Sequence, residues 1–205
     1  MKKKLSIENW NRKEHFEFFA QFDEPFHSVT VEIDCTRSYR ESKSRNWSFS
    51  LLYLHKSLAI AHQIKAFKLR ISDGEVFEYD HIVGTSTVLR EDGTFGFSYL
   101  PFHRDFGVFQ EIAQVEFERV KQTPGLDLSY TEQNLIHYST LPWLRFTSLS
   151  HARSFSHPDS CPKISFGKLT HEQERWVMPI SISVHHGLVD GKDVGEFVQL
   201  LEEIL

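Results

Sequence analysis

The chain has 205 residues and a net charge of −5 with its histidines neutral, a length that fits one domain with a sizeable core. No basic surplus points to a nucleic-acid partner, and no apolar run approaches the length of a membrane span. Three lysines near the start precede no apolar stretch, so no signal peptide is expected and a cytoplasmic setting is.

Residues 7–19 open the fold, with Asn9 as a helix cap before Trp10 and an apolar patch at Phe16, Phe18 and Phe19. Residues 26–35 alternate apolar and polar at Val29, Val31 and Ile33, the pattern of a strand with one buried face. Residues 48–67 are apolar almost all round and predict a buried helix starting near Ser48 or Ser50. Asp73-Gly74 predicts a hairpin between residues 69–71 and 76–79, and Asp92-Gly93 a turn between residues 87–89 and 95–99. Residues 105–123 predict a helix with a stripe of Val108, Ile112 and Val115, flanked by Phe109, Ala113 and Phe117 and stopped by Pro124-Gly125. In residues 139–146, Pro142 marks an edge strand or a strand leading into a turn, and Trp143 reads as core. Two strands follow at residues 163–169 and 174–184, and an amphipathic helix closes the chain through Val194, Phe197, Val198, Leu201, Ile204 and Leu205. This alternation of strands and helices predicts α/β layers: a two-layer sandwich with one mixed β-sheet and helices packed on one face. With no repeat or linker in view, residues 1–205 are expected to form a single domain.

The stretch I-S-I-S-V-H-H-G-L-V-D-G, residues 180–191, carries the chemistry. It reads as an interior strand ending on His185 and His186, with Asp190 near the start of the last helix, at the favourable end of its dipole. Neighbouring strand residues project to opposite faces, so only one of the two histidines can point into a given cleft. A neutral imidazole near pH 7 suits a general base. A metal site of His185, His186 and Asp190 is disfavoured, because the neighbouring rings point apart and no further ligand cluster is evident. Cys35 and Cys161 have no metal-ligand spacing and read as reduced thiols, a disulfide between them staying open.

His-His-x-x-x-Asp-Gly resembles the signature of the chloramphenicol acetyltransferases and, more widely, of coenzyme-A-dependent acyltransferases. Two further segments resemble the same family in the same order: Trp10-Asn11-Arg12-x-Glu14-His15-Phe16 and Ser-x-Leu-Pro-Trp beginning at Ser139. The resemblance implies an acetyl group moved from acetyl-CoA, as cosubstrate, to a hydroxyl of chloramphenicol, with no metal. It implies His186 as general base and Ser139 as hydrogen-bond donor to the oxyanion. It also implies Arg12 paired with Asp190 in support, Ser165 near the acceptor and Lys168 near coenzyme A. The acceptor pocket of the family is lined by aromatic and aliphatic side chains, for which Phe19, Phe26, Phe95 and Phe97 are the candidates. Phe19 stands where a tyrosine is usual, and Phe97 near a position where a small residue is. Family members are homotrimers with active sites between subunits. The residues also leave open a same-fold acyltransferase with another acceptor, and a non-catalytic binding protein on this fold.

Overall fold

The computed structural model describes residues 1–126, 128–154 and 159–205. It consists of a mixed sheet of seven strands with the main helices on one face, and a separate three-stranded sheet. The chain runs β1 (Lys2–Lys4), α1 (Lys13–Phe19), β2 (Phe26–Asp34), α2 (Thr36–Ser44), α3 (Phe49–Gln63), β3 (Leu69–Ser72), β4 (Glu75–Tyr79), β5 (Val83–Leu89) and β6 (Phe95–Pro101). It continues with α4 (Phe106–Gln122), β7 (Leu135–Thr140), β8 (Lys163–Phe166), β9 (Thr170–Glu172), β10 (Arg175–His185) and α5 (Gly191–Ile204). The large sheet has the order β2-β10-β8-β7-β5-β6, with β9 paired to the start of β10. The β5–β7 and β7–β8 pairs are parallel and the others antiparallel.

Strand periodicity divides this sheet into two chemically different faces. On β10, Ile180, Ile182 and Val184 join Ile136, Tyr138, Ile164 and Phe166 in the core beneath the helices. The alternate residues Ser181, Ser183 and His185 face the other way, beside Lys163 and Ser165 of β8. Helix α3 is the centre of the packed layer. A helix apolar all round is stable only when surrounded, and α3 is buried from Leu51 to Ala61 with its start capped by the Ser48 hydroxyl.

Several sequence expectations are corrected. Asn9 lies in a short 3-10 turn, and α1 begins only after Arg12. Helix α2 was not foreseen, because its sequence is polar and offers no apolar stripe. On α4 the inward residues are Phe106, Phe109, Ala113 and Val120, whereas Val108, Ile112 and Val115 are solvent-exposed. Strand β7 ends at Thr140, two residues before Pro142, and leads into a turn, but it is a central strand bonded on both sides rather than an edge. Trp143 sits just past it and is 68% exposed, not core. The Asp73-Gly74 hairpin is as expected, with φ of +52° and +75° at its two turn residues.

Arg70 is fully buried and meets no carboxylate hydrogen-bond partner among the described residues. Its guanidinium donates instead to the carbonyls of Phe67 (2.9 Å), Leu69 (2.6 Å), Gln133 (3.0 Å) and Leu135 (2.5 Å). It therefore ties the small sheet to the segment that enters β7. Removing the donors strands several buried carbonyls, each costing about 1–3 kcal/mol. Arg70→Met should lower stability by about 3–5 kcal/mol, read as a fall in the urea midpoint with an unchanged slope.

Candidate active site

The His-His end of β10 is framed by β2. His185 lies opposite Phe26 and Val184 opposite His27, and the pairing continues one step further through the His186 N–H to the Pro25 carbonyl at 2.8 Å. The two histidines diverge as strand geometry requires. His185 is buried, its ring edge-on to Phe26 at 5.6 Å, and its Nδ1 accepts from the Gly187 N–H at 3.1 Å. Burial, then the nearby Arg153 charge, push its pKa down to about 4, so it stays neutral at pH 7. His186 is half-buried on the other side, stacked on Phe19 at 4.1 Å and 11° and touched by His27 at 4.4 Å. Its Nδ1 is buried with no hydrogen-bond partner.

Residues 187–190 turn the chain into α5. Leu188 and Val189 both donate to the His185 carbonyl, at 2.9 and 3.0 Å. Asp190 is the N-cap of α5 and accepts from Lys192 N–H (2.9 Å) and Asp193 N–H (3.4 Å), while Asp193 returns the bond to the Asp190 N–H at 2.9 Å. The Arg12 guanidinium, at the start of α1, closes the arrangement. It is ion-paired with the Asp190 carboxylate and donates to the His186 carbonyl at 3.2 Å. One side chain thus holds both ends of the turn behind His186. Burial raises the Asp190 pKa, but the Arg12 bond and the two backbone N–H groups outweigh it and hold the carboxyl below its ordinary value.

The other sequence-nominated residues lie elsewhere. Ser139 on β7 is directly opposite Ser165 on β8, which is opposite Ser181 on β10. Phe97 on β6 faces Thr87, which continues the β5–β7 register beside Ser139. Phe97, Ser139 and Ser165 therefore share one row on the face turned away from the helices, with Phe95 two residues along and Phe26 at the far end of that face. Ser165 is fully buried, 3.3 Å from His151 Nε2. Lys168 is exposed beyond the end of β8, where its N–H bonds to the carbonyl of the exposed Leu144 at 2.8 Å.

Ser139 is not brought to His186. Along β10, Ser181 and His186 are five residues apart, roughly 17 Å, and Ser139 lies two strand spacings, roughly 10 Å, to the side. The separation of roughly 20 Å is several times the reach of a hydrogen bond. Phe95 and Phe97 are four strands from β10, roughly 19 Å. Phe19 alone among the acceptor candidates is in ring contact with His186.

Sequence reading missed His27, Arg153 and the Lys163–Asp159 ion pair (2.9 Å). Arg153 lies 3.1 Å over the Phe26 ring, with Nε free of hydrogen bonds and one terminal nitrogen ion-paired to Glu24 at 3.6 Å. The F-H dipeptide opening β2 was the available signal for His27, but only the register places it against His186. Among the described residues no group of three or more His, Cys, Asp or Glu could hold a metal ion, and no helix is long and apolar enough to cross a membrane.

A layered α/β domain with a histidine aimed from the end of an interior strand is the architecture of an acyltransferase. The dihydrolipoamide acetyltransferase of Azotobacter vinelandii shares the fold at a TM-score of 0.68 and 13% identity, over 93% of this chain and 85% of that one. A solved chloramphenicol acetyltransferase aligns over all of both chains, with a TM-score of 0.93 and 33% identity. The chloramphenicol acetyltransferase family model matches residues 2–202, and the chain belongs to that family of O-acetyltransferases. Among its relatives are chloramphenicol acetyltransferase 3 of Escherichia coli and the Staphylococcus aureus enzyme. The first is 28% identical over 98% of this chain and 95% of its own length, the second 27% identical over 98% and 94%.

Because the Asp190 pKa is depressed in the folded protein, its ionic contribution is present above about pH 4 and is lost as pH falls through the folded value. Asparagine keeps the helix cap but not the charge. Asp190→Asn should therefore cost about 1 kcal/mol near pH 7, a modest figure because the carboxylate is about one-third exposed. The gap from the parent should close below pH 4 in urea titrations run at both values.

Proposed function

We propose that the protein moves the acetyl group of acetyl-CoA to a hydroxyl of chloramphenicol, at sites formed between copies of the chain in a homotrimer in the cytoplasm. In this reading His186 takes the proton of the acceptor hydroxyl as that oxygen attacks the thioester carbonyl. The tetrahedral oxyanion accepts a hydrogen bond from the Ser139 hydroxyl. Its collapse breaks the carbon–sulfur bond, and the departing coenzyme A thiolate takes the proton back from the imidazolium. The acceptor oxygen attacks directly, so no acyl-enzyme is needed. Arg12 and Asp190 hold the turn that aims His186. Lys168, exposed beside Leu144, faces a coenzyme phosphate, and Phe19, Phe26, Phe95, Phe97 and Ser165 surround the acceptor.

The observation that carries the reading is the aimed His186 standing roughly 20 Å from the row that holds Ser139, Ser165 and Phe97. A base and an oxyanion donor must both lie within about 3 Å of the same reacting group. A second copy that sets its His186 against this row satisfies that requirement, and one chain cannot. Exposed Phe18 and Phe22 near one edge of the sheet and exposed Phe95 at the other supply apolar surface for such contacts.

A specific observation favours a second reading, the same chemistry on a different acceptor. Phe19, the acceptor candidate in ring contact with His186, stands where a tyrosine is usual in the family, so a polar contact to the drug is lost.

Thiol release from acetyl-CoA, with and without chloramphenicol, tests the acceptor. His186→Ala should lower kcat by about 10²–10⁴, and Ser139→Ala by about 10²–10³. Loss of drug-dependent release in the parent itself would move the search to other acceptors.

A shared site also predicts complementation. Co-expressed with His186→Ala, Ser139→Ala chains should recover activity in roughly one site in four, since a site needs one intact residue from each neighbour. No recovery in mixed oligomers of two chains that are each impaired alone would place both residues in one chain's site, whereas full activity of Ser139→Ala alone would remove Ser139 from the chemistry.

A further inference from the structure

His27 entered no sequence motif, yet it touches the one histidine on which the proposed chemistry depends. The register explains the contact. His27 is opposite Val184, and His186, two residues beyond Val184, projects to the same side and falls diagonal to it. The two rings are 4.4 Å apart and tilted by 43°, while Phe19 stacks on the same His186 imidazole at 4.1 Å. Since Nδ1 of His186 is buried and unpartnered, no hydrogen bond at that atom sets the rotation of the ring. Packing against neighbouring rings sets it instead.

His27 has a second attachment to the same turn. Its Nε2–H donates to the carbonyl of Val189 at 3.3 Å, three residues past His186 and one before the Asp190 cap. This bond assigns the proton of neutral His27 to Nε2. The imidazole therefore spans the turn, touching its first residue with its ring and its next-to-last with its N–H.

We infer that His27 is a positioning residue for His186, fixing the angle of the catalytic imidazole through ring contact and through its bond to Val189. This rests on the reading of His186 as the base. The charged and titratable groups facing His27 are His186 at the end of β10 and Asp190 at the start of α5, with Arg12 behind Asp190. Burial is the largest influence on His27 and holds its pKa below the usual histidine value, so near pH 7 it is a neutral neighbour that places no second positive charge beside the base.

His27→Ala removes both attachments, and His27→Phe restores the flat ring alone. kcat, KM for acetyl-CoA and for chloramphenicol, and thermal midpoint would be measured for all three proteins. A misaimed base loses rate in the bound complex, so His27→Ala should lower kcat by about 10–100-fold with both KM values within threefold of the parent. His27→Phe should recover most of the loss. A kcat within twofold of the parent in His27→Ala, or a loss in both variants that follows a fallen thermal midpoint, would overturn the inference. The imidazole proton resonances of His186, assigned by their absence in His186→Ala, give a readout that needs no acceptor. They should be held at the parent positions in His27→Phe and move toward those of free histidine in His27→Ala. Resonances that stay in place in His27→Ala would overturn the role of His27 even if chloramphenicol proves not to be the acceptor, whereas a parent inactive on chloramphenicol with shifted resonances in His27→Ala would support it.

Discussion

The bonds from Arg12 to Asp190 and to the His186 carbonyl are the constraint on which the site depends. They join the start of α1 to the turn before α5, across 178 and 174 positions of sequence. A strand end followed directly by a helix start would otherwise be a hinge, since its backbone groups lack the partners of regular structure. Here several backbone and side-chain groups at the bend are engaged. The capping box satisfies the start of α5, the His185 carbonyl collects two N–H donors, and the guanidinium holds the carboxylate and the His186 carbonyl at once. His186 is thereby held at its backbone, while its Nδ1 has no hydrogen-bond partner among the described residues.

The sheet then separates two tasks. Its helix-covered face is apolar and gives the domain its stability through α3 and the inward residues of β7, β8 and β10. Its other face carries hydroxyls, imidazoles and the Lys163–Asp159 pair, groups that are expensive to bury unless they are bonded or used. Ser139, Ser165 and Phe97 belong to this second face, whereas His186, at the end of β10, projects to the side of Val184 and His27. The aimed histidine and the polar row complement each other but do not meet within one chain. In the proposed homotrimer a closed ring of identical chains brings them together without any new sequence.

Much of the fold was readable because burial writes itself into sequence as periodicity. The apolar helix α3, the amphipathic α5 and the alternating β2 followed from spacing alone, and the Asp-Gly turns followed from the left-handed backbone those residues tolerate. The errors have the same origin. Helix α2 is held by a polar sequence in a crevice that only tertiary structure supplies. The stripe on α4 was assigned to the wrong face because apolar residues run nearly all round it. Trp143 was placed inside on hydrophobicity alone, although surface tryptophan is common where a partner or ligand is met. The nominated site residues were found by motif or by resemblance, and neither says how near one another they lie.

The sequence by itself determined the layers, the strand that ends on His185 and His186, and the residues whose chemistry suits acyl transfer. Those properties are local: each depends on a side chain's type and on its spacing from near neighbours. The Arg12–Asp190 pair was implied by the resemblance and is present, but only the tertiary structure decided that His27 and Phe19 flank His186, and that Ser139 stands too far away to serve it. These depend on strand order and register, and a strand's own sequence specifies which face it buries without specifying which strand lies beside it.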